Sequence, residues 1–139
     1  MKLEHAPDVK EIVSDVVDRL ELAHIDPDRI VCMRSWGAKA QATARIWAFP
    51  KIWQKALNLE PSYVIEVLSH HFDSLPKEEK ERVVIHELMH VPKGFGGGLV
   101  PHNCFGKRID RRSVEKLFNN FKKSPGSALE SPDGVIEMR

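Results

Sequence analysis

Apolar residues recur at helical spacing near the start of the chain, over about residues 8–23. The apolar positions are Val9, Ile12, Val13, Val16, Val17 and Leu20. Residues three and four apart share one face of a helix, so this pattern predicts an amphipathic helix. Asp8 is expected to cap its first turn, with Glu11 three positions on as the second member of a capping box. Pro27 is expected to close the segment.

Short runs rich in β-branched and aromatic residues follow this helix. They lie at residues 29–36, 44–49 and 63–68, and each is bounded by turn-forming or charged residues. Such runs are typical of strands, and we expect three of them. Between the second and third runs, "KIWQKALN" is long enough for two helical turns.

Two further helices are predicted in the second half of the chain. The segment "KEEKERVVIHELMH", residues 77–90, places acidic residues near the positive end of a helix and apolar residues in its second half. Pro92 ends it. Apolar residues over 105–121 predict a last helix, with a break near Asp110. The order of elements predicts an α+β domain, with a short, mainly antiparallel three-stranded sheet packed against an N-terminal helix, the helix of residues 77–90 and a C-terminal helix.

Length and composition indicate one soluble globular domain. The chain has 139 residues and a formal net charge of +1, which suits a single domain over residues 1–123. Residues 124–139 mix Ser, Pro, Gly and charges without periodicity, and predict a flexible or loosely packed tail. The near-neutral charge leaves nucleic acid a possible partner but does not indicate one. We expect a cytoplasmic protein without a membrane partner, and the sequence leaves its oligomeric state open.

Three smaller groups of residues give further predictions. Cys32 and Cys104 are too few for a disulfide framework and are expected to be free buried thiols. The basic residues around Arg111 predict a solvated helix face, with phosphate or DNA contact as the minority alternative. The tryptophans are expected to pack in the core, and a substrate-stacking surface is the alternative. They are Trp36, Trp47 and Trp53.

The predicted helix of residues 77–90 carries the pattern H-E-x-x-H. His86 and His90 lie four positions apart, so both imidazoles can face one metal ion from the same side of a helix. Glu87 is rotated by about 100° around the axis and can lie beside the ion without binding it. This is the arrangement needed for hydrolysis by a metal-bound water that a carboxylate deprotonates.

A catalytic zinc ion usually has three protein ligands and one open position, so a third ligand is needed. His102 is the best candidate, because a glycine-rich stretch after Pro92 lets the chain bend back toward the helix. The rival third ligands are His70, His71 and the acidic residues near Asp110, and Cys104 lies near enough in the sequence to His102 to bind zinc as well. Three imidazoles favour zinc over other divalent ions.

Residues 63–105 resemble the SprT-like zinc metallopeptidases, and more closely the small archaeal and phage-type metallopeptidases. The shared pattern is a strand, a connection ending in "LP", the H-E-x-x-H helix and a later histidine followed by Phe, here "YVIEV", "LSHHFDSLP", "EKERVVIHELMH" and "HNCF". The resemblance implies a zincin-like domain with His86, His90 and His102 as zinc ligands and Glu87 as the general base. It also implies that "YVIEV" is the strand to which substrate adds.

The chain departs from the SprT-like pattern in two places. Asn103 follows the third histidine where those proteins usually have Gly, and no C-x-x-C pairs follow. A role in repairing DNA–protein crosslinks is therefore not implied. The sequence predicts a zinc-dependent metallopeptidase acting on a protein or peptide. The alternative is a non-catalytic zinc-binding domain that acts as a partner-binding or regulatory module.

Overall fold

A four-stranded mixed sheet organises the chain, which a computed structural model describes over residues 2–104 and 107–124. For residues 103, 104 and 107 the description covers the backbone only. The strands are β1 (Lys2–His5), β2 (Ile30–Trp36), β3 (Ala44–Ala48) and β4 (Tyr63–Leu68), in the order β1-β2-β4-β3. The α+β fold is therefore confirmed, although the sheet has one strand more than the three predicted.

The fourth strand, β1, was missed because all four of its residues are exposed and show no apolar alternation. Its place depends on antiparallel pairing with β2, in which Lys2 lies opposite Trp36 and His5 opposite Met33. Backbone pairing of this kind leaves no pattern of side chains to read. Strands β2 and β4 run parallel, and β3 pairs antiparallel with β4.

Five α-helices accompany the sheet in the part of the chain that the structure describes. They are α1 (Pro7–Arg19), α2 (Lys51–Leu57), α3 (Ser69–Phe72), α4 (Lys77–Met89) and α5 (Arg111–Lys123). The predicted capping box at the first helix is wrong. Ala6 occupies the N-cap with no side-chain cap, and Asp8 instead forms an ion pair with Arg34 of β2. None of the described helices is long and apolar enough to cross a membrane.

The core lies between one face of the sheet and helices α1, α4 and α5. Strand β4 supplies Tyr63, Ile65 and Val67, which are fully buried. Helix α4 packs against both α1 and α5. It therefore has two neighbouring helices to support it, and it buries Val84, Ile85, Leu88 and two acidic residues. This packing gives the H-E-x-x-H segment a rigid base.

The prediction that the tryptophans fill the core is wrong. Trp47 and Trp53 are 52% and 55% exposed, and Trp36 is half-buried. Helix α2, which carries Trp53, has no buried residue. Tyr63 and Phe72 are instead the largest fully buried side chains. Cys32 is a free buried thiol, as predicted, whereas the side chain of Cys104 lies outside the described residues.

A buried carboxylate ties strand β3 to the rest of the sheet. Glu66 of β4 is 5% exposed. It accepts hydrogen bonds from the Ser35 hydroxyl at 2.6 Å, the Arg45 guanidinium at 2.8 Å and the Trp47 indole at 2.9 Å. A buried charge is tolerated only when it is paired and hydrogen bonded. This network therefore holds β3 in register at the edge of the sheet.

The last part of the chain begins with a two-stranded ribbon, β5 (Asn103–Cys104) and β6 (Lys107–Arg108). Asp110 then caps α5, because its carboxylate accepts a hydrogen bond from the Ser113 backbone N–H. The Ser113 hydroxyl accepts one from the Asp110 backbone N–H, which completes a capping box. Helix α5 begins at Arg111, so the predicted break near Asp110 is its start. Apart from Ser124, the predicted tail of residues 124–139 lies outside the described residues, and its loose packing stays a prediction.

Candidate metal centre

The last turn of α4 brings His86 and His90 together. Their ring centroids are 5.2 Å apart, as expected for side chains four positions apart on a helix. His86 is partly buried and His90 is 8% exposed. Because the neighbouring Val84, Ile85 and Leu88 are buried in the core, the two imidazoles are held on the opposite, open side of the helix.

The chain returns to this helix through reciprocal bonds between His90 and Val100. The Val100 backbone N–H donates to the His90 carbonyl at 2.7 Å. His90 Nδ1 lies 2.5 Å from the Val100 carbonyl oxygen. A carbonyl can only accept, so Nδ1 must carry the proton and Nε2 keeps its lone pair. A histidine that binds a metal is commonly oriented by such a bond from its second nitrogen.

His102, two residues beyond Val100, completes a cluster with the two helix histidines. The ligand atoms of all three side chains lie within 4.8 Å of one another. The Nε2 atoms of His86 and His102 are 3.3 Å apart. Nitrogens at about 2.0–2.1 Å from a tetrahedral zinc ion lie roughly 3.3–3.4 Å from each other, so the His86–His102 pair has the spacing of two ligands of such an ion. The His102 ring is exposed, so the cluster is accessible from solvent.

His86 is neutral at physiological pH. Burial, and after it the electrostatic effect of the neighbouring His90 and His102 imidazoles, lower the pKa of its imidazole to about 4. A protonated imidazole has no free lone pair for a metal. The lowered pKa therefore leaves this ring ready to bind a cation without first losing a proton.

Glu87 lines the same cleft as the histidines and is 8% exposed. Among the described residues, no group forms a hydrogen bond or ion pair with its carboxylate. Burial raises the pKa of the Glu87 carboxyl to about 7. The side chain is thus a carboxyl group with no partner among the described residues, lining the same cleft as the three imidazoles, and it can take up or release a proton close to neutral pH.

We expect the metal-free Glu87→Gln protein to be more stable than wild type at pH 8, by about 3 kcal/mol, with little difference near pH 4.5. The folded carboxyl has a pKa of about 7 against its ordinary value of 4.5. The stability it contributes is therefore fully present below pH 4.5 and is lost as the pH rises through 7. Glutamine stays neutral throughout. Urea unfolding in a chelator at both pH values measures the difference, and a difference independent of pH would contradict the prediction.

The histidines face a cleft of about 820 Å³. Its lining comes from α4, from β3 between Ala44 and Ile46, from residues 99–102 and from the start of α5. Near α5, Arg82 forms ion pairs with Glu79 and Glu115. Beside β3 the cleft is bordered by Ala44, Arg45 and Ile46, and beside α5 it is bordered by the ion pairs of Arg82.

Strand β3, not β4, is the edge strand beside the cleft. Strand β4 lies between β2 and β3, so both of its edges are already paired and it cannot accept a further strand. The expectation that "YVIEV" receives substrate is wrong for this reason. Strand β3 pairs with β4 on one side and with no strand of the described residues on the other. The sequence could not distinguish the two, because both runs are short and rich in strand-forming residues.

The rival ligands lie apart from the cluster. His70 and His71 belong to α3 and stack on each other, with ring centroids 4.0 Å apart. Asp110 is the cap of α5. The side chain of Cys104 lies outside the described residues. Sequence reasoning also missed the bond between His90 and Val100, since a backbone carbonyl leaves no signal in the sequence.

Comparison with known proteins agrees with a metal-dependent peptidase. No curated protein and no solved structure matches the chain. The model of one family, described as "Putative phage metallopeptidase", matches residues 1–122. The match covers all of the sheet and nearly all of α5, as well as the three-histidine cluster. The chain therefore belongs to this phage metallopeptidase family.

Proposed function

We propose that the protein is a zinc-dependent metallopeptidase in which His86, His90 and His102 bind the metal and Glu87 is the general base. One observation carries this proposal. Three imidazoles bring their ligand atoms within 4.8 Å of one another, with the His86–His102 pair at the spacing that suits a tetrahedral ion, and Glu87, whose carboxylate has no partner among the described residues, lines the same open cleft.

A zinc ion held by these imidazoles would supply a Lewis acid that lowers the pKa of water and polarises the scissile carbonyl. The Glu87 carboxylate accepts the proton of the attacking water and donates it to the nitrogen of the departing amine. Hydrolysis then leaves Glu87 ionised for the next turnover. His90 is held in the required tautomer by its Nδ1–H bond to Val100.

We propose that the substrate is an extended peptide that lies along β3. The free backbone edge of β3 can pair with a peptide as an added strand, and this mode of recognition draws affinity from the main chain. The ion pairs of Arg82 occupy the part of the cleft near α5, whereas the apolar Ala44 and Ile46 border the part near β3, where Arg45 is paired with Glu66 of the sheet. The peptide is therefore expected to place apolar side chains on the β3 side.

The arrangement of strand, connection, helix and distal histidine also supports kinship with the SprT-like peptidases, which we propose on the sequence pattern alone. The alternative function, a non-catalytic zinc-binding module, requires a closed site with a fourth protein ligand. The exposure of His102 and the volume of the cleft favour an open site instead.

The proposal is tested by measuring metal content and cleavage together. The protein is loaded with zinc, dialysed and analysed by mass spectrometry, and it is then incubated with unfolded casein with and without a chelator. We expect one zinc ion per chain, cleavage that stops with chelator and cleavage that returns with added zinc. One bound zinc ion without any cleavage would favour the non-catalytic module, and no bound metal would overturn the ligand set.

A further inference from the structure

The loop that leads from α4 to His102 is fastened in its middle to the Tyr63 hydroxyl. This oxygen accepts a hydrogen bond from the Gly97 backbone N–H at 2.9 Å and donates one to the Gly98 carbonyl at 2.9 Å. Tyr63 is fully buried at the start of β4. Its ring also packs edge-on against Phe95, with centroids 5.1 Å apart. The loop is thus attached to β4, one of the two inner strands of the sheet.

A second attachment comes from helix α2. The Gln54 carboxamide donates to the Phe49 carbonyl at 2.8 Å and to the Gly96 carbonyl at 3.4 Å. Gln54 differs from the other residues of α2, which are all exposed, in being half-buried. It therefore links the end of β3 to the same part of the loop that Tyr63 binds.

At Gly97 the loop lies close to the Gln54 side chain and the Phe49 carbonyl. Its φ is +101°, a conformation that L side chains rarely adopt. A Cβ atom there would lie 2.3 Å from Gln54 Nε2 and 2.9 Å from the Phe49 carbonyl oxygen. Glycine is therefore required both by the backbone conformation and by the space left beside Gln54.

Three residues separate Gly98 from His102, and Val100 among them is bonded to His90. A loop with four glycines has many accessible conformations when it is not attached. We infer that Tyr63 and Gln54 are positioning residues, which hold the return loop so that the His102 imidazole meets those of His86 and His90. This inference rests on the proposed function, because it assumes that His102 is a metal ligand.

The test compares zinc affinity in four proteins: wild type, Tyr63→Phe, His102→Ala and the double variant. Phenylalanine keeps the ring that packs on Phe95 and removes only the hydroxyl. We expect Tyr63→Phe to weaken zinc binding by roughly 10–100-fold, the loss typical when a group that orients a ligand is removed. In the His102→Ala background we expect the same change to weaken binding by less than about 2-fold, because the loop then carries no ligand to position. Competition with a chromophoric chelator measures all four affinities.

Ile65→Val is the matched control for loss of stability. Ile65 is fully buried on the same strand, and its side chain has no group that could form a hydrogen bond with the loop. Urea unfolding of the metal-free proteins shows how far each variant is destabilised. We expect Ile65→Val to keep the zinc affinity of wild type within about 2-fold, as a core methyl group does not orient any ligand.

Gln54→Ala provides a second variant if Tyr63→Phe does not fold. We expect it to weaken zinc binding by roughly 10-fold, again only when His102 is present. Equal losses with and without His102 would overturn the inference, as would an unchanged affinity in both loop variants. If wild type binds no zinc, or if His102→Ala binds it as tightly as wild type, the ligand set itself fails. The two failures are therefore distinguishable.

Discussion

The Glu87→Gln protein is expected to retain one zinc ion per chain and to cleave peptides about 10²–10⁴-fold more slowly than wild type. Glutamine has nearly the size of glutamate but cannot accept a proton from water. Glu87 is rotated away from the histidine face of α4 by one residue, so its replacement leaves the imidazoles in place. The measurement is kcat/KM on a quenched-fluorescence peptide, with zinc content determined on the same preparation.

The matched control is Glu78→Gln, the same chemical change on the same helix. Glu78 lies in the first turn of α4, is exposed and pairs with Lys122 at the surface. We expect its cleavage rate to stay within about 2-fold of wild type, since exposed ion pairs contribute little. Cleavage by Glu87→Gln at the rate of this control would contradict the role of Glu87. Loss of zinc from Glu87→Gln would show that Glu87 acts as a ligand instead.

The His102→Ala protein is expected to bind zinc at least about 100-fold more weakly than wild type. This loss is larger than that typically caused by removing a group that only hydrogen bonds to a metal ligand. Two imidazoles on one helical turn remain, but a catalytic zinc site usually needs three protein ligands. Cleavage is expected to fall below detection at zinc concentrations that saturate wild type. Isothermal titration with zinc measures the affinity.

His70→Ala is the control for this variant. His70 is exposed on α3 and stacks on His71, outside the three-histidine cluster. Its zinc affinity is expected to match that of wild type. The opposite result, with His70→Ala losing zinc and His102→Ala retaining it, would move the third ligand to α3 and would rule out the site proposed for the return loop.

Prediction from sequence succeeded where a few neighbouring residues determine the structure. Helix α4 was predicted over residues 77–90 and ends at Met89. Its apolar positions and Pro92 are enough to define it, and the helical repeat then brings His86 and His90 to one side. The strands β2, β3 and β4 were found for a similar reason, since each is a short run of strand-forming residues.

Prediction failed where distant parts of the chain compete for the same group. Asp8 has the chemistry of a helix cap, but Arg34 of β2 lies close enough to form an ion pair with it. Trp47 has the size of a core residue, but its indole N–H donates to Glu66 on the sheet. In both cases a partner far along the chain outweighed the local preference.

The spacing of His86, Glu87 and His90 is a property of the sequence alone, because any helix over these residues places two imidazoles one turn apart. The position of His102 beside these two imidazoles does not follow from the sequence, since a glycine-rich loop can lead the chain in many directions. Only the folded protein brings Tyr63, Gln54 and His90 to that loop, and hydrogen bonds to these residues select one path for it. The edge position of β3 was likewise decided by strand order, which depends on pairing between backbones and not on the side chains that a sequence displays.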